Sequence, residues 1–163
     1  MKHRLALAVA LALGAAPVMA QPTKAADITI EKPWARATPK GAEVGAGYLT
    51  IHNNGAAPDR LTGGTADFGT VEVHQMSMEG GVMKMREVKD GLPIPAHGSV
   101  TLAPNGYHLM FTGLKQPLTK GTVAKATLTF EHAGAIPVEF PVSGVGASSG
   151  GQPKKNDMGG MKM

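Results

Sequence analysis

Glycine and proline interrupt this chain so often that no long helix fits. The sequence has 22 glycines and 12 prolines among 163 residues, and after residue 20 the longest stretch free of both is 122–133. In that stretch Ala124, Ala126, Leu128 and Phe130 alternate with lysine, threonine and glutamate. A period of two is typical of a half-buried β-strand, because successive side chains of a strand point to opposite faces.

Shorter segments with the same alternation recur between turn residues. They predict strands at 27–31, 47–53, 60–62, 70–78, 82–88, 99–103, 107–112, 122–133 and 136–142. Two hairpins are predicted, one joining 70–78 to 82–88 about Gly80 and Gly81, the other joining 99–103 to 107–112. Pro137 and Pro141 favour an edge position for the last strand, since proline cannot donate to a ladder. About eight or nine short antiparallel strands predict an all-β sandwich or barrel, with Greek-key topology preferred.

The first twenty residues are typical of a secretory signal peptide. Lys2 and Arg4 precede an apolar run that is too short to span a bilayer, and Ala20 closes a small-residue cleavage site. A retained membrane anchor is the alternative. The predicted organisation is a signal peptide at 1–20, one domain at 21–143 and a flexible tail rich in glycine, serine and lysine at 144–163. We therefore expect a periplasmic protein, monomeric and not inserted in the membrane after cleavage.

The charge and the cysteine count exclude several function classes. Without Lys2 and Arg4, 14 of the 16 basic residues remain against 12 acidic ones, and they are scattered, which argues against nucleic acid as a partner. The chain has no cysteine, which rules out a blue-copper centre and a thiol reductase, because both need a thiolate. No nucleophile with its base, paired-carboxylate site or phosphate loop is evident, and we expect no enzyme activity.

Soft metal ligands are concentrated between residues 71 and 110. Five of the ten methionines and two of the six histidines lie there: Met76, Met78, Met83, Met85, Met110, His74 and His108. Thioethers with imidazoles, and few carboxylates nearby, favour Cu(I) over Zn, Mn or Mg. The segment therefore predicts a copper site.

Strand parity places these residues on one face. In 71–78 the valines alternate with Glu72, His74, Met76 and Met78, so the methionines take the polar side. A two-residue turn at Gly80–Gly81 would set Met78 opposite Met83, and Met76 opposite Met85, with Cβ atoms about 5 Å apart. His108 and Met110 share a face, while Leu109 and Phe111 point into the core.

Two other interpretations remain open at this point. Methionine often fills irregular gaps in a core or lines a promiscuous protein-contact patch, so the segment is also compatible with an adhesive or structural sandwich domain. A copper oxidase is the enzymatic alternative, although two histidines and two methionines would leave little room for oxygen on the metal.

The spacing of four of these residues resembles the periplasmic copper chaperones of the PCu(A)C family, whose pattern is H-x10-M-x21-H-x-M. Here ten residues separate His74 from Met85, and His108-Leu109-Met110 follows. The intervening spacer, 86–107, has one residue more than the pattern, which we place in the loops at 89–98. Residues 33–39 and 45–51 also resemble the family, less specifically.

The resemblance implies a cupredoxin-like barrel that binds one Cu(I) through His74, Met85, His108 and Met110. It also implies delivery to the copper centre of a haem-copper oxidase, the cytochrome c oxidase type, often beside a second, cysteine-containing chaperone. A copper-sequestering or resistance protein is the functional alternative. Met76, Met78 and Met83 fall outside this ligand set and are interpreted as supporting groups, weaker extra copper ligands or apolar cover. The tail methionines, Met158, Met161 and Met163, are interpreted as a loose Cu(I)-collecting arm or as plain tail.

Overall fold

A computed structural model describes residues 27–150, which form ten β-strands and no α-helix. The predicted signal peptide and Met158, Met161 and Met163 lie outside these residues. The strands are β1 (Ile28–Arg36), β2 (Val44–Asn53), β3 (Asp59–Ala66), β4 (Gly69–Glu79), β5 (Val82–Glu87), β6 (Leu92–Ile94), β7 (Ser99–Leu102), β8 (Tyr107–Thr112), β9 (Val123–Phe130) and β10 (Gly134–Ser143).

Seven of the strands close into a barrel. Its order is β4, β8, β2, β1, β10, β9 and β3, and β3 pairs with β4 to complete the ring. All these pairings are antiparallel except β1 with β10, which is parallel at Ala35–Val142 and Arg36–Ser143. The all-β, cupredoxin-like class is thus confirmed. The structure has ten strands where about eight or nine antiparallel ones were expected, and one pair is parallel. The three-residue β6 is too short for its alternation to predict a strand, and the parallel pair joins strands far apart in the chain.

The alternating patterns correctly identified the core face. Ala124, Ala126, Leu128 and Phe130 are all buried, as are Leu49 and Ile51 on β2. At the centre of the core, the Phe111 ring meets the Phe140 ring edge-on with centroids 5.4 Å apart. Burial of these apolar side chains is the main stabilising contribution to the barrel.

The predicted hairpin between β7 and β8 was wrong. Both strands instead pair with the same edge of β2, β7 along Leu49–His52 and β8 along Val44–Gly47. The residues between them form a tight turn in which the Ala103 amide donates to the Tyr107 carbonyl, 2.9 Å away. The turn does not reverse the chain, so β8 runs in the same direction as β7. β8 then pairs with β4 on its other edge.

The edge position of β10 holds only for its proline-containing part. Residues 136–141 pair with β9, and the ladder to β1 begins at Val142, after Pro141. This arrangement keeps both prolines away from the second ladder, which their missing N–H groups would interrupt.

β4 is longer than the barrel requires. On one edge, its first part pairs with β3 and its second part pairs with β5. On the other edge, its pairing with β8 ends at Gln75. Residues 76–79 and 82–85 therefore form a two-stranded arm that projects beyond the barrel. Its turn has Gly80 and Gly81 with φ of 59° and 79°, the conformation of a two-residue hairpin turn that glycine adopts without strain.

Asp59 ties the end of β9 to β3. Its buried carboxylate accepts hydrogen bonds from the backbone amides of Arg60, His132 and Ala133 at 2.7–2.9 Å. Burial acts to raise the pKa of Asp59, but the amides, joined by the His132 side chain, outweigh it and the pKa is lowered from 3.8.

Candidate metal site

The predicted ligands lie on the outer face of β4, β5 and β8, in successive cross-strand rows. The His74 backbone pairs with His108 and Glu72 pairs with Met110 across β4 and β8. Across β4 and β5, Met76 faces Met85 and Met78 faces Met83, as the two-glycine turn predicted. Cross-strand partners point to the same side of a sheet, so two histidines and five methionines share one surface.

The two histidine rings lie together, with centroids 5.9 Å apart. His74 Nε2 donates to Glu72 Oε2 at 2.9 Å, because a carboxylate can only accept. In the neutral tautomer with this hydrogen bond, His74 Nδ1 carries the lone pair, and that atom is buried without a hydrogen-bond partner. A buried nitrogen lone pair without a donor is costly in an apo protein, and a metal ion would satisfy it.

His108 is oriented in the opposite sense. Its Nδ1 donates to the Gly106 carbonyl at 3.4 Å, which leaves Nε2 as the free lone pair. Burial lowers the pKa of His108, the neighbouring His74 lowers it further, and the hydrogen bond to Gly106 only partly opposes them. The ring is therefore neutral at pH 7, which is the form that binds a metal ion.

The two thioethers predicted as ligands open onto a cleft beside the histidines. Met85, His108 and Met110 line this cleft, whose volume is about 670 Å³, and Met76 lines it with them. Met85 is 49% exposed. His74 stands behind its partner His108 rather than in the wall of the cleft. The structure thus brings three predicted ligands into one cleft, places the fourth beside them, and adds Met76.

Residues 145–148, near the beginning of the predicted tail, also line the cleft. Arg36 donates from Nε and Nη2 to the Ala147 carbonyl at 3.2 and 2.8 Å and lies over the Tyr48 ring. Tyr48 stacks on Trp34, with centroids 4.4 Å apart, and Gly150 packs against that indole. Residues 144–150, which we call the strap, thus lie along the barrel beside the cleft.

Sequence reasoning missed several groups around the site. Glu72 shares the parity of His74 at i−2, so its contact with the imidazole could have been predicted. The Arg36–Ala147 bond spans 111 residues, and no local pattern signals such a contact. His52 and His97 lie outside the cleft.

Hard-ligand chemistry has little support in the described part of the chain. Between residues 27 and 150, no three histidine, aspartate or glutamate side chains are grouped so as to hold a metal ion. The donors that do converge are imidazole nitrogens and thioether sulfurs, a set that favours a soft cation.

The comparisons with known proteins agree with this geometry. Residues 28–142 match the family model named LpqE-like, described as lipoproteins of that type. The chain belongs to the LpqE-like family. A family relative from Leifsonia xyli subsp. xyli, named "Putative lipoprotein Lxx21020", is 34% identical over 129 residues, 77% of this chain and 76% of its own length.

Solved structures with the same fold are PCuAC domains. The copper-bound PCuAC domain from PmoF2 is 31% identical, with a TM-score of 0.60, and the match covers 72% of this chain and 93% of that domain. The Cu(I) form of DR1885 from Deinococcus radiodurans is 28% identical, with a TM-score of 0.56, over 78% and 83% of the two chains. The resemblance to the PCuAC copper chaperones is thus confirmed for this LpqE-like protein.

The family and the relative carry lipoprotein names, which indicate an exported protein. Within residues 27–150, the structure contains no helix long and apolar enough to cross a membrane.

Proposed function

We propose that this chain is a copper chaperone that binds one Cu(I) through His74, Met85, His108 and Met110. The observation that carries the proposal is the arrangement of free donors. Two imidazoles, each with one nitrogen already hydrogen-bonded, lie beside two thioethers, and His108 and both thioethers line one cleft, on a fold whose copper-bound relative is 31% identical.

The hydrogen bonds decide which nitrogen of each histidine would face the ion. Glu72 occupies His74 Nε2, and Gly106 occupies His108 Nδ1. The copper would therefore be held by Nδ1 of His74 and Nε2 of His108. Outer partners of this kind fix the tautomer and orientation of ligating histidines.

The exposure of the site suits transfer rather than storage or catalysis. Met85 is half-exposed on strand β5, every residue of which is exposed, so an acceptor can approach the ion from solvent. A flexible thioether can release copper as an incoming ligand binds, because methionine has three rotatable bonds and no charge. We infer a carrier without turnover of its own, working in the periplasm.

The recipient proposed from the family resemblance is the copper centre of a haem-copper oxidase, assisted by a cysteine-containing chaperone. A thiolate-rich acceptor binds Cu(I) more strongly than thioethers and imidazoles do, which gives the transfer a direction. Sequestration for copper resistance would instead require that the ion stay on this chain.

The binding proposal is tested by titrating the protein with Cu(I) against a competing chelator. We expect one tight equivalent in the wild type and a loss of about 100-fold or more in affinity in Met85→Leu and His108→Ala, since even outer partners of a ligand are worth 10–100-fold. His97→Asn is the matched control, because His97 lies outside the cleft at a positive φ that asparagine tolerates. Equal, weak binding by all four proteins would favour a protein-contact patch.

Delivery needs a separate measurement. The copper-loaded protein is mixed with the apo copper-binding domain of an oxidase, and the copper on each partner is determined after separation. Transfer of most of the metal supports delivery. Retention on the loaded protein, with the acceptor shown to bind free Cu(I), would support sequestration.

A further inference from the structure

The projecting arm carries a methionine pair that the proposed ligand set does not use. Met78 lies directly opposite Met83, one row before the Glu79–Val82 pair that flanks the turn. Their exposed fractions are 64% and 41%, so neither side chain fills the core. Packing therefore does not account for the pair.

The two faces of the arm differ chemically. On one face Glu79 accepts from Lys84 Nζ and Arg86 Nη2, each at 3.0 Å. On the other face stand only the thioethers of the two methionine rows. The two-residue turn sets the register that keeps Met78 and Met83 opposed, and the charged network joins the two strands on the other face.

The outer pair is continuous with the cleft. The Met76–Met85 row lies on the same face, two residues nearer the barrel along β4. His74 and its partner His108 lie a further two residues along β4 in the same direction. Rows two residues apart are about 7 Å apart along a strand. Each step lies within the combined reach of flexible methionine side chains.

We propose that Met78 and Met83 form an outer two-thioether site for Cu(I), through which the ion enters and passes along the Met76–Met85 row to the inner site. The passage rests on the proposed function, whereas the outer site stands on the arm alone. Each step is a ligand exchange in which a bond from copper to the next sulfur, or to an imidazole nitrogen of the inner site, forms as a bond to the previous sulfur breaks. Copper remains Cu(I), and no electron or proton is transferred.

The outer site is tested on the full chain with methionine methyl groups labelled with ¹³C, titrated with Cu(I) under anaerobic, reducing conditions. The first equivalent should shift the methyl signals of Met85 and Met110. Further Cu(I) should shift those of Met78 and Met83 together, and the residue assignments separate these from the tail methionines. In Met78→Leu the Met83 methyl remains as a reporter and should no longer shift, whereas Val82→Leu, on the exposed charged face, should retain both shifts. The double variant Met78→Leu/Met83→Leu serves for the rate measurement.

The passage is tested by the rate of loading. In stopped-flow mixing with a Cu(I)–chelator complex, the double variant should load the inner site severalfold more slowly. Its equilibrium affinity for the first copper should equal that of the wild type. Leucine keeps the apolar volume, so a role in packing alone would leave the rate unchanged.

The possible failures are distinguishable. Shifts of Met85 and Met110 with Met78 and Met83 unmoved at excess copper would overturn the outer site and leave the proposed function standing. No shift at Met85 or Met110 would refute the inner site, while the response of Met78 and Met83 would still decide the outer one. A double variant that loads at the wild-type rate, or that loses inner affinity, would overturn the passage.

Discussion

The contact between Glu72 and His74 makes a quantitative prediction about copper affinity. His74 Nε2 lies 2.9 Å from Glu72 Oε2, and the two side chains are 14% and 38% exposed. Hydrogen bonds to charged groups contribute about 1.5–3 kcal/mol, and water can partly replace a carboxylate this exposed. We therefore take the lower end, about 1.5 kcal/mol, which corresponds to roughly tenfold in Kd.

Glu72→Ala should accordingly weaken Cu(I) binding about tenfold, within the range known for outer partners of metal ligands. Glu72→Gln keeps an oxygen that accepts from His74 Nε2 but loses the negative charge. We therefore expect it to lose about half of the hydrogen-bond energy, which corresponds to roughly threefold weaker Cu(I) binding. The glutamine variant also keeps the side-chain volume beside Met110, the cross-strand partner of Glu72. It thus separates the hydrogen bond from packing.

Glu87→Gln is the matched control. Glu87 is exposed and pairs with His74 across β4 and β5, so it places the same charge near the site without the hydrogen bond. Competition titrations with one chelator at pH 7 give the affinities, and the ¹⁵N shifts of His74 report which ring nitrogen carries the proton. Equal losses for Glu72→Gln and Glu87→Gln, with an unchanged His74 tautomer, would refute the reasoning.

Three further predictions concern stability and the strap. Asp59→Asn should lower the free energy of unfolding by about 2 kcal/mol, because an NH2 group that cannot accept replaces one carboxylate oxygen, and a buried backbone amide loses its acceptor. Folding lowers the pKa of Asp59, so its contribution is complete well above 3.8 and is lost as the pH falls below that value. Gly64→Ala should destabilise by about 1–3 kcal/mol, because its Cβ would lie 2.2 Å from a backbone oxygen of β9. Arg36→Lys should speed hydrogen exchange of the Ala147 amide, since lysine cannot donate the same planar fork.

Each of these has its own check. Urea unfolding at pH 7 and pH 3 measures the free energy of unfolding, and the loss caused by Asp59→Asn should be smaller at pH 3. The control Asp67→Asn, at an exposed turn, should cause no loss at either pH. A loss for Asp59→Asn that is the same at both pH values would contradict the lowered pKa of Asp59. Gly80→Ala is the comparison for Gly64→Ala. At Gly80 the φ is positive but nothing lies within 4 Å of the new Cβ, so this variant measures the effect of backbone strain without a steric clash. Exchange at Ala147 that is equally slow in Arg36→Lys would show that the strap is held by other contacts.

Short-range patterns determined the faces of the strands and the register of one hairpin. Alternation assigned Leu109 and Phe111 to the core and His108 and Met110 to the outside, because the pleat leaves a strand residue only two directions. The glycine pair at 80–81 set Met76 against Met85, since a two-residue turn admits one register. The same patterns could not foresee that β8 pairs with β4 and β2 rather than with β7.

By itself, the sequence determined the types of candidate ligand, their parity and the all-β class, because these depend on residue chemistry and on a repeat of two. Only the tertiary structure decided that His74 meets His108, that Glu72 and Gly106 select their free nitrogens, and that Arg36 holds the strap beside the cleft. These contacts join residues from strands far apart in the chain. Their choice of partner follows from closing the barrel around one core, and no local pattern contains that information.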